Sequence, residues 1–114
     1  MNPELQLEQQ QPQFLYLTTI GWKTGKEHKI EIWFIVYDNR YYIMSESGRT
    51  AHWVRNIINN PNVSIAINNE TYEGNARIVD QQIDAKLVAE VSNRMATKYN
   101  WNNGLIIEIT GKAI

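Results

Sequence analysis

Residues 17–61 read LTTIGWKTGKEHKIEIWFIVYDNRYYIMSESGRTAHWVRNIINNP. In order, they predict a strand, a turn rich in glycine and lysine, two more strands, a polar loop and a short helix. β-Branched and aromatic residues fill the strand segments, and Asp38-Asn39 marks a tight turn between the second and third strands. Proline at position 61 ends the helix, because the residue before a proline disfavours helical geometry.

The rest of the chain extends this pattern. We predict strands at residues 14–20, 29–37, 40–45, 63–67, 72–79 and 105–110. Residues 80–99 change to a helical period, with one apolar face made of Ile83, Leu87, Val88, Val91 and Met95. Six strands and two helices without strand–helix–strand alternation predict a mainly β fold, a six-stranded antiparallel β-barrel with helices at its rim.

Composition limits the class of protein. The chain has 114 residues, 43% of them hydrophobic, and a net charge of −1, so no overall field draws it to nucleic acid or to an anionic membrane. It has no cysteine, which excludes disulfides and thiolate chemistry. We expect a polar arm at residues 1–13, with no signal-peptide pattern, and one barrel domain at residues 14–114. A cytoplasmic protein without a membrane-spanning segment is expected, and dimerisation would add burial to so small a domain.

The turn at residues 21–26, GWKTGK, is the first candidate site. Its two glycines allow the backbone to approach a ligand, and free amides, the Thr24 hydroxyl and the ammonium groups of Lys23 and Lys26 suit an anionic oxygen such as phosphate. The alternative is an ordinary hairpin with solvated lysines.

The loop SESGRT, residues 45–50, is the second. It supplies hydroxyls and a guanidinium, and it leads into a helix whose apolar residues are four apart. Thr50 is the predicted N-cap of that helix, whose positive end beside Ser47 and Arg49 would favour an anion. The alternative is that Thr50 only caps and Arg49 only faces water.

The strand at residues 29–37 has one aliphatic face and one mixed face, and the mixed face with Glu31 and Trp33 is a candidate ligand wall. The four tryptophans could stack on a flat ring, although aromatic residues more often belong to cores or interfaces. His28 and His52 have no third ligand at metal spacing, so no metal site is predicted.

These motifs together resemble a known family. TTIGWKTGK, HKIEIWF, the SESGR loop and HWVRNIINNPNVSIAI are similar to the nitroreductase-like deazaflavin-dependent oxidoreductases, a branch of the split β-barrel flavoproteins that includes pyridoxamine phosphate oxidase-like, FMN-binding proteins. The family pattern is TT-x-GRK-[ST]-G, a strand facing the cofactor ring, a Ser/Gly loop and a W-x-x-N helix. Trp22 stands where the family commonly has arginine.

The resemblance implies a homodimer in which the cofactor carries a hydride to a small organic acceptor such as a quinone, a nitro compound or an enone. The deazaflavin coenzyme F420 is the favoured cofactor and FMN the alternative. The implied cofactor-binding residues are Lys23, Thr24, Gly25, Lys26, Ile30, Glu31, Ile32, Ser45, Ser47, Gly48, Arg49, Trp53 and Asn56. The catalytic residues are unassigned, with Tyr37, Tyr42 and Tyr99 as possible proton donors.

Two other classes stay open at this point. A small barrel with lysines and tryptophans could bind single-stranded nucleic acid through a basic groove and base stacking, although the net charge argues against it. A non-catalytic flavin carrier on the same fold would have the same sequence features.

Overall fold

The computed structural model describes residues 13–111, and these form a closed antiparallel barrel. Its strands are β1 (Phe14–Ile20), β2 (Glu27–Tyr37), β3 (Arg40–Ser45), β4 (Asn62–Ile67), β5 (Glu70–Ile78) and β6 (Leu105–Gly111). They follow each other around the barrel in the order β1-β2-β3-β6-β5-β4. A 3-10 helix (Gly48–Thr50) and two α-helices, α1 (His52–Asn59) and α2 (Ala85–Tyr99), complete the chain. The predicted six-stranded barrel with two helices is confirmed, while all of the predicted arm except Gln13 lies outside the described residues.

Two hairpins have two-residue turns, and that at Asp38-Asn39 is the predicted one. Asp38 and Asn39 have φ of 52° and 61°, and Asn68 and Asn69 have φ of 52° and 65°. Two consecutive residues of positive φ match the right-handed twist of antiparallel strands, and Asn and Asp tolerate this geometry better than other side chains. These asparagine-rich pairs therefore set the registers of β2 with β3 and of β4 with β5.

The two parts of strand β2 pair with different neighbouring strands. It pairs with β1 as far as Trp33 and with β3 from Phe34 onward. At this point the Phe34 N–H donates to the Tyr99 hydroxyl oxygen at 3.0 Å, and the same hydroxyl donates to the Phe34 carbonyl at 2.7 Å. The last residue of α2 therefore binds the backbone where β2 changes partner, and this attaches the helix to the barrel.

Two hydrophobic clusters lie on opposite sides of the sheet. The barrel interior is filled by Leu15, Leu17, Phe34, Ile43, Val54, Ile57, Val63, Ile65, Ala76, Ile107 and Ile109. The second cluster packs α2 against the outer face of the sheet and contains Ile35, Tyr42, Met44, Val79, Val91, Met95 and Ile106. Since successive side chains of a strand point to opposite faces, β2, β3 and β6 supply both clusters. Among the described residues, no helix has the length and hydropathy needed to cross a membrane.

The start of α2 differs from the prediction. The helix begins at Ala85, and residues 81–84 form a turn in which the Asp80 carboxylate accepts the N–H groups of Gln82 and Ile83 at 2.8 and 2.9 Å. A carboxylate that binds nearby amides offers the backbone an alternative to the helix. The prediction that Ile83 belongs to the buried helical face is therefore wrong, and its side chain is 84% exposed.

Candidate functional site

A cavity of about 360 Å³ lies between the β1–β2 turn and helix α1. Its walls are both apolar and cationic, with two indole rings and one aliphatic side chain beside two imidazoles and two permanent cations. The lining residues are Gly21, Trp22, Lys23, Thr24, His28, Ile30, His52, Trp53, Arg55 and Asn56. We call this the turn cavity. Concave sites with apolar walls and a few convergent polar groups are typical of small-molecule binding.

Asn56 joins the two elements that form the turn cavity. Its side-chain oxygen accepts the backbone N–H of Trp22 at 3.0 Å, and its side-chain nitrogen donates to the Thr19 hydroxyl at 3.0 Å. Asn56 and Thr19 are buried. Because a backbone N–H can only donate, the Trp22 contact fixes the orientation of the Asn56 amide. The helix therefore holds the turn through a polar contact that is shielded from water, where such a contact is costly to lose.

The turn hydrogen-bonds mainly to itself. The Gly21 N–H donates to the Lys26 carbonyl at 2.7 Å, and the Gly25 N–H donates to the Gly21 carbonyl at 2.8 Å. The Lys26 N–H donates to the Thr24 hydroxyl oxygen at 3.2 Å. With Trp22 bound to Asn56, four of the six turn amides already have partners. The predicted cradle of free turn amides is therefore wrong for these four, and an anion here would meet mainly side-chain donors.

Gly21 leaves room for the side chains of the cavity floor. A Cβ at this position would lie 2.7 Å from Nε2 of His28 and 2.9 Å from Oγ1 of Thr24. Both distances are shorter than van der Waals contact. The absence of a side chain at Gly21 therefore allows His28 and Thr24 to come together at the wall of the cavity.

The cationic groups gather around Trp22. The Lys23 ammonium lies 4.9 Å and the Arg55 guanidinium 6.0 Å from the centre of a Trp22 ring, within the range of cation–π attraction. Trp22 is 43% exposed, so its ring is accessible to a ligand. No Asp or Glu is among the described residues that line the turn cavity. The site therefore presents positive charge and flat apolar surface together, which suits an anionic molecule with a planar ring.

The predicted cofactor residues divide into four groups, the fourth being those of the loop at residues 45–50. Lys23, Thr24, Ile30, Trp53 and Asn56 line the turn cavity. Gly25 and Lys26 shape the turn, and Gly25 has the positive φ, +71°, that a glycine adopts readily. Glu31 and Ile32 line a different cavity, with Trp33 and Met44. Ile30 and Ile32 share one face of β2 because they are two residues apart, so the two cavities are separated along the strand.

The loop at residues 45–50 lies outside the described lining of the turn cavity. The buried Ser45 hydroxyl donates to the Gly48 carbonyl at 2.8 Å, and the Thr50 hydroxyl donates to the Ser47 carbonyl at 2.7 Å. Arg49 helps lower the pKa of the Asp80 carboxyl, after the larger effect of the hydrogen bonds from Ile83 and Gln82. Thr50 belongs to the 3-10 helix, and α1 has Ala51 at its N-cap without a side-chain cap. The prediction of Thr50 as N-cap is wrong, because its hydroxyl closes the preceding turn instead.

The three tyrosines considered as proton donors lie on the α2 side of the barrel. Burial and the Glu108 carboxylate raise the pKa of Tyr42 to about 12, and its hydroxyl donates to Glu108 at 2.8 Å. Tyr99 binds the backbone of Phe34, and burial raises its pKa. The Tyr37 ring packs under the Arg94 guanidinium, 4.6 Å away. None of the three is among the described residues of the turn cavity.

Sequence reasoning missed Arg55 and the two histidines as members of this site. His52, Arg55 and Asn56 lie at positions i, i+3 and i+4 of α1, which places them on one face of the helix. That spacing could have indicated His52 and Arg55 as site residues, because Asn56 on the same helix face was already predicted to be one. The contribution of His28 depends on its packing against Gly21, which no local pattern shows.

The fold defines a small split-barrel protein, and its turn cavity combines basic side chains with flat apolar surface. The family model for F420H(2)-dependent quinone reductase matches residues 4–109, and the chain belongs to this family. It is therefore an oxidoreductase that acts on a small molecule. No curated protein sequence matches the chain.

Several solved structures share the fold. The heme storage protein HutZ from Vibrio cholerae is 19% identical with a TM-score of 0.73, covering 97% of this chain and 89% of that one. A putative pyridoxamine 5'-phosphate oxidase from Listeria innocua is 17% identical, TM-score 0.66, covering 96% and 91%. The F420-H2 dependent reductase FDR-A is 22% identical, TM-score 0.57, covering 85% and 92%. At these identities the likeness supports the fold.

Proposed function

We propose that this protein binds the deazaflavin F420 in the turn cavity and reduces a small organic acceptor, such as a quinone, a nitro compound or an enone. The observation that carries the proposal is the pairing of two cations with two indole rings in one cavity that has no described carboxylate in its lining. Family membership and the likeness to FDR-A, an F420-H2 dependent reductase, support the same cofactor.

The residues present fit such a cofactor. Ile30 and Trp53 offer a dry wall for a planar ring, while Lys23 and Arg55 offer charge to an anionic tail. Trp22 replaces the arginine common in the family pattern, and the Arg55 guanidinium packs near the Trp22 ring. We assign to Arg55 the cationic contact that the substitution at position 22 removes.

When bound, the cofactor supplies the hydride, and the protein supplies binding, orientation and protons. Trp53 and Ile30 exclude water from one side of the ring. His28 and His52 line the cavity wall, and imidazole can both donate and accept a proton, so we assign proton transfer to one of them. This replaces the three tyrosines, which lie on the α2 side.

The proposal also includes predicted contacts outside the turn cavity. Lys26 and the exposed residues Ser47 and Arg49 would bind the distal end of the anionic tail as it leaves the turn cavity. The protein would act as a homodimer in the cytoplasm, and exposed apolar side chains such as Ile58 support the dimer because association would bury them. Light scattering that shows only monomer at working concentration would contradict the dimer without affecting the cofactor assignment.

The test is a fluorescence titration of the protein with oxidised F420. Lys23→Met and Arg55→Met should each weaken binding roughly tenfold, because a charge-assisted contact contributes about 1.5 kcal/mol. Lys29→Met is the matched control, since the Lys29 ammonium packs over the Tyr16 ring, 5.0 Å away, outside the turn cavity. Equal affinity in all three variants would contradict the assignment.

A parallel titration with FMN separates the two cofactors, because FMN needs a phosphate site but carries a shorter anionic chain. We expect tighter binding of F420 and oxidation of its reduced form on addition of a quinone. Preference for FMN would keep the cavity as the site and exclude the deazaflavin.

A further inference from the structure

A second cavity, of about 660 Å³, lies further along β2 than the turn cavity, where the end of α2 meets the strand. It is bounded by β2, by β3 with the loop that follows it, and by the end of α2. The described residues that line it are Phe14, Glu31, Ile32, Trp33, Met44, Glu46, Tyr99, Asn100 and Trp101. We call this the aromatic cavity. The proposed function does not use it.

The rings of the aromatic cavity are held in fixed positions. Trp33 stacks on Tyr99 with ring centres 4.6 Å apart and planes 4° from parallel. The Tyr99 hydroxyl binds the Phe34 backbone, so the ring beneath Trp33 is anchored at its far end. Trp33 is still 45% exposed, which leaves flat aromatic surface open to a ligand.

A second wall stands across this platform. Asn100 caps α2 in the left-handed conformation, with φ of 57°, and turns the chain back toward β2. Trp101 follows directly, and its ring lies 6.2 Å from that of Trp33 at 70°. Phe14 pairs with Trp33 across β1 and β2, so its ring borders the same surface. The cavity is therefore a corner of aromatic faces.

The charge of the aromatic cavity is opposite to that of the turn cavity. Its charged lining residues among those described are two carboxylates, Glu31 and Glu46, both exposed at the surface. The Lys98 ammonium lies over the Phe34 and Tyr99 rings and donates to the Phe34 carbonyl at 3.0 Å. Lys98 does not line the cavity. Aromatic faces and carboxylates both attract positive charge.

We propose that the aromatic cavity binds a flat organic cation, such as an N-alkylated heteroaromatic ring, which stacks on Trp33 while Glu31 and Glu46 balance its charge. An aromatic face binds a cation through the ring quadrupole, and a planar ligand adds stacking area. A neutral ring of the same shape keeps the stacking and loses both electrostatic contributions. The proposal therefore predicts selection by charge at constant shape.

The experiment uses N-methylquinolinium as the cation and quinoline, which is neutral at pH 8, as its isostere. Binding is followed by NMR of the indole N–H groups, each assigned by a single Trp→Phe substitution. The cation should shift the signals of Trp33 and Trp101 and bind at least fivefold more tightly than quinoline. Equal affinity for the two probes, or shifts confined to Trp22 and Trp53, would overturn the proposal.

Two variants locate the interaction. The double variant Glu31→Gln, Glu46→Gln should weaken binding of the cation roughly fivefold and leave quinoline unchanged, because each exposed ion pair makes a modest contribution to affinity. Glu73→Gln, which changes an exposed carboxylate of β5 outside the cavity, is the control. Trp33→Leu should abolish binding of both probes. If Trp33→Leu does not fold, the double carboxylate variant decides alone, and unchanged cation affinity in it refutes the proposal.

Discussion

The two helices of this protein use their polar contacts for different purposes. Helix α1 is short, packs Val54 and Ile57 into the barrel interior and uses Asn56 to hold the turn that forms the candidate cofactor site. Helix α2 is nearly twice as long, covers the outer face of the sheet with Val91 and Met95, and makes its polar contacts at its two ends. Helix α1 therefore builds a site, while α2 stabilises the barrel and closes one side of the aromatic cavity.

The polar contact at the start of α2 is centred on Glu108, a buried carboxylate on β6. Arg77 donates to it at 2.8 Å and the Tyr42 hydroxyl at 2.8 Å, and Arg77 also pairs with Asp84 just before the helix at 3.2 Å. Burial alone would raise the pKa of Glu108, but the hydrogen bonds from Arg77 and Tyr42 outweigh it, and the pKa is lowered. At the other end Tyr99 binds β2. These contacts involve no residue of the turn cavity.

The largest loss of stability and of F420 binding is expected at Asn56, which joins α1 to the turn. Asn56→Ala removes the partner of the Trp22 N–H and of the Thr19 hydroxyl, and both are left short of a hydrogen bond near the core. We expect a loss of about 2–3 kcal/mol in the free energy of unfolding, measured by urea denaturation, together with loss of F420 binding. Asn59→Ala is the control on the same helix, since Asn59 is exposed. A stable Asn56→Ala protein would show that α1 does not hold the turn.

At Glu108 the expected effect is on stability and its pH dependence. A lowered pKa in the folded state means that the carboxylate stabilises the fold above its ordinary pKa, near 4.5, and that this stabilisation is lost as the pH falls through the lowered folded value. Glu108→Gln should cost about 1–2 kcal/mol at pH 7, and the difference from the wild type should shrink in acid. Urea denaturation across this pH range measures both. Weakened F420 binding in the variant would contradict the separation of the two helices.

Gly21 and Gly25 give a smaller and more selective test within the turn. Alanine at Gly21 meets His28 and Thr24, whereas alanine at Gly25 meets open space but must adopt φ of +71°. Each substitution should cost about 1 kcal/mol of stability, the first through crowding and the second through backbone strain. Only Gly21→Ala should weaken F420 binding, because only it displaces cavity side chains. A titration in which both variants bind equally well would show that the cavity floor tolerates the shift.

The smallest effect is expected just before α2. Ile83→Ser should change the free energy of unfolding by less than about 0.5 kcal/mol, because the side chain is 84% exposed. Val91→Ala, in the buried face of the helix, should cost about 1–2 kcal/mol. Thermal unfolding of both variants checks the point, and a large loss at position 83 would restore Ile83 to the helical face predicted from the sequence.

Much of the fold follows from local patterns. Period-two alternation places all six strands within about two residues of the observed bounds, because one face of each strand is buried in the barrel interior. Asn-rich pairs mark both two-residue turns, since few other residues accept positive φ. The errors at Thr50 and Ile83 have one cause. Side chains of Thr50 and Asp80 bind nearby backbone groups, and these bonds compete with helix formation.

The candidate site was predictable in part. Lys23, Thr24 and Trp53 belong to the motifs that resemble the family, and Asn56 is the asparagine of the W-x-x-N pattern that begins at Trp53. The sequence pointed to an anion cradle of backbone amides, but hydrogen bonds within the turn and to Asn56 use four of them. Arg55 and His28 enter the site through packing, the first beside Trp22 and the second beside Gly21.

Residue spacing within a few positions and the order of the motifs were enough to predict the strands, the two helices and the family. Which charges face each other depends on how the elements pack in three dimensions. Closing the barrel places Ile30 in a cationic cavity and Glu31 in an acidic, aromatic one. The two residues are adjacent in sequence, but different elements meet β2 beside them: the β1–β2 turn and α1 beside Ile30, and the end of α2 beside Glu31.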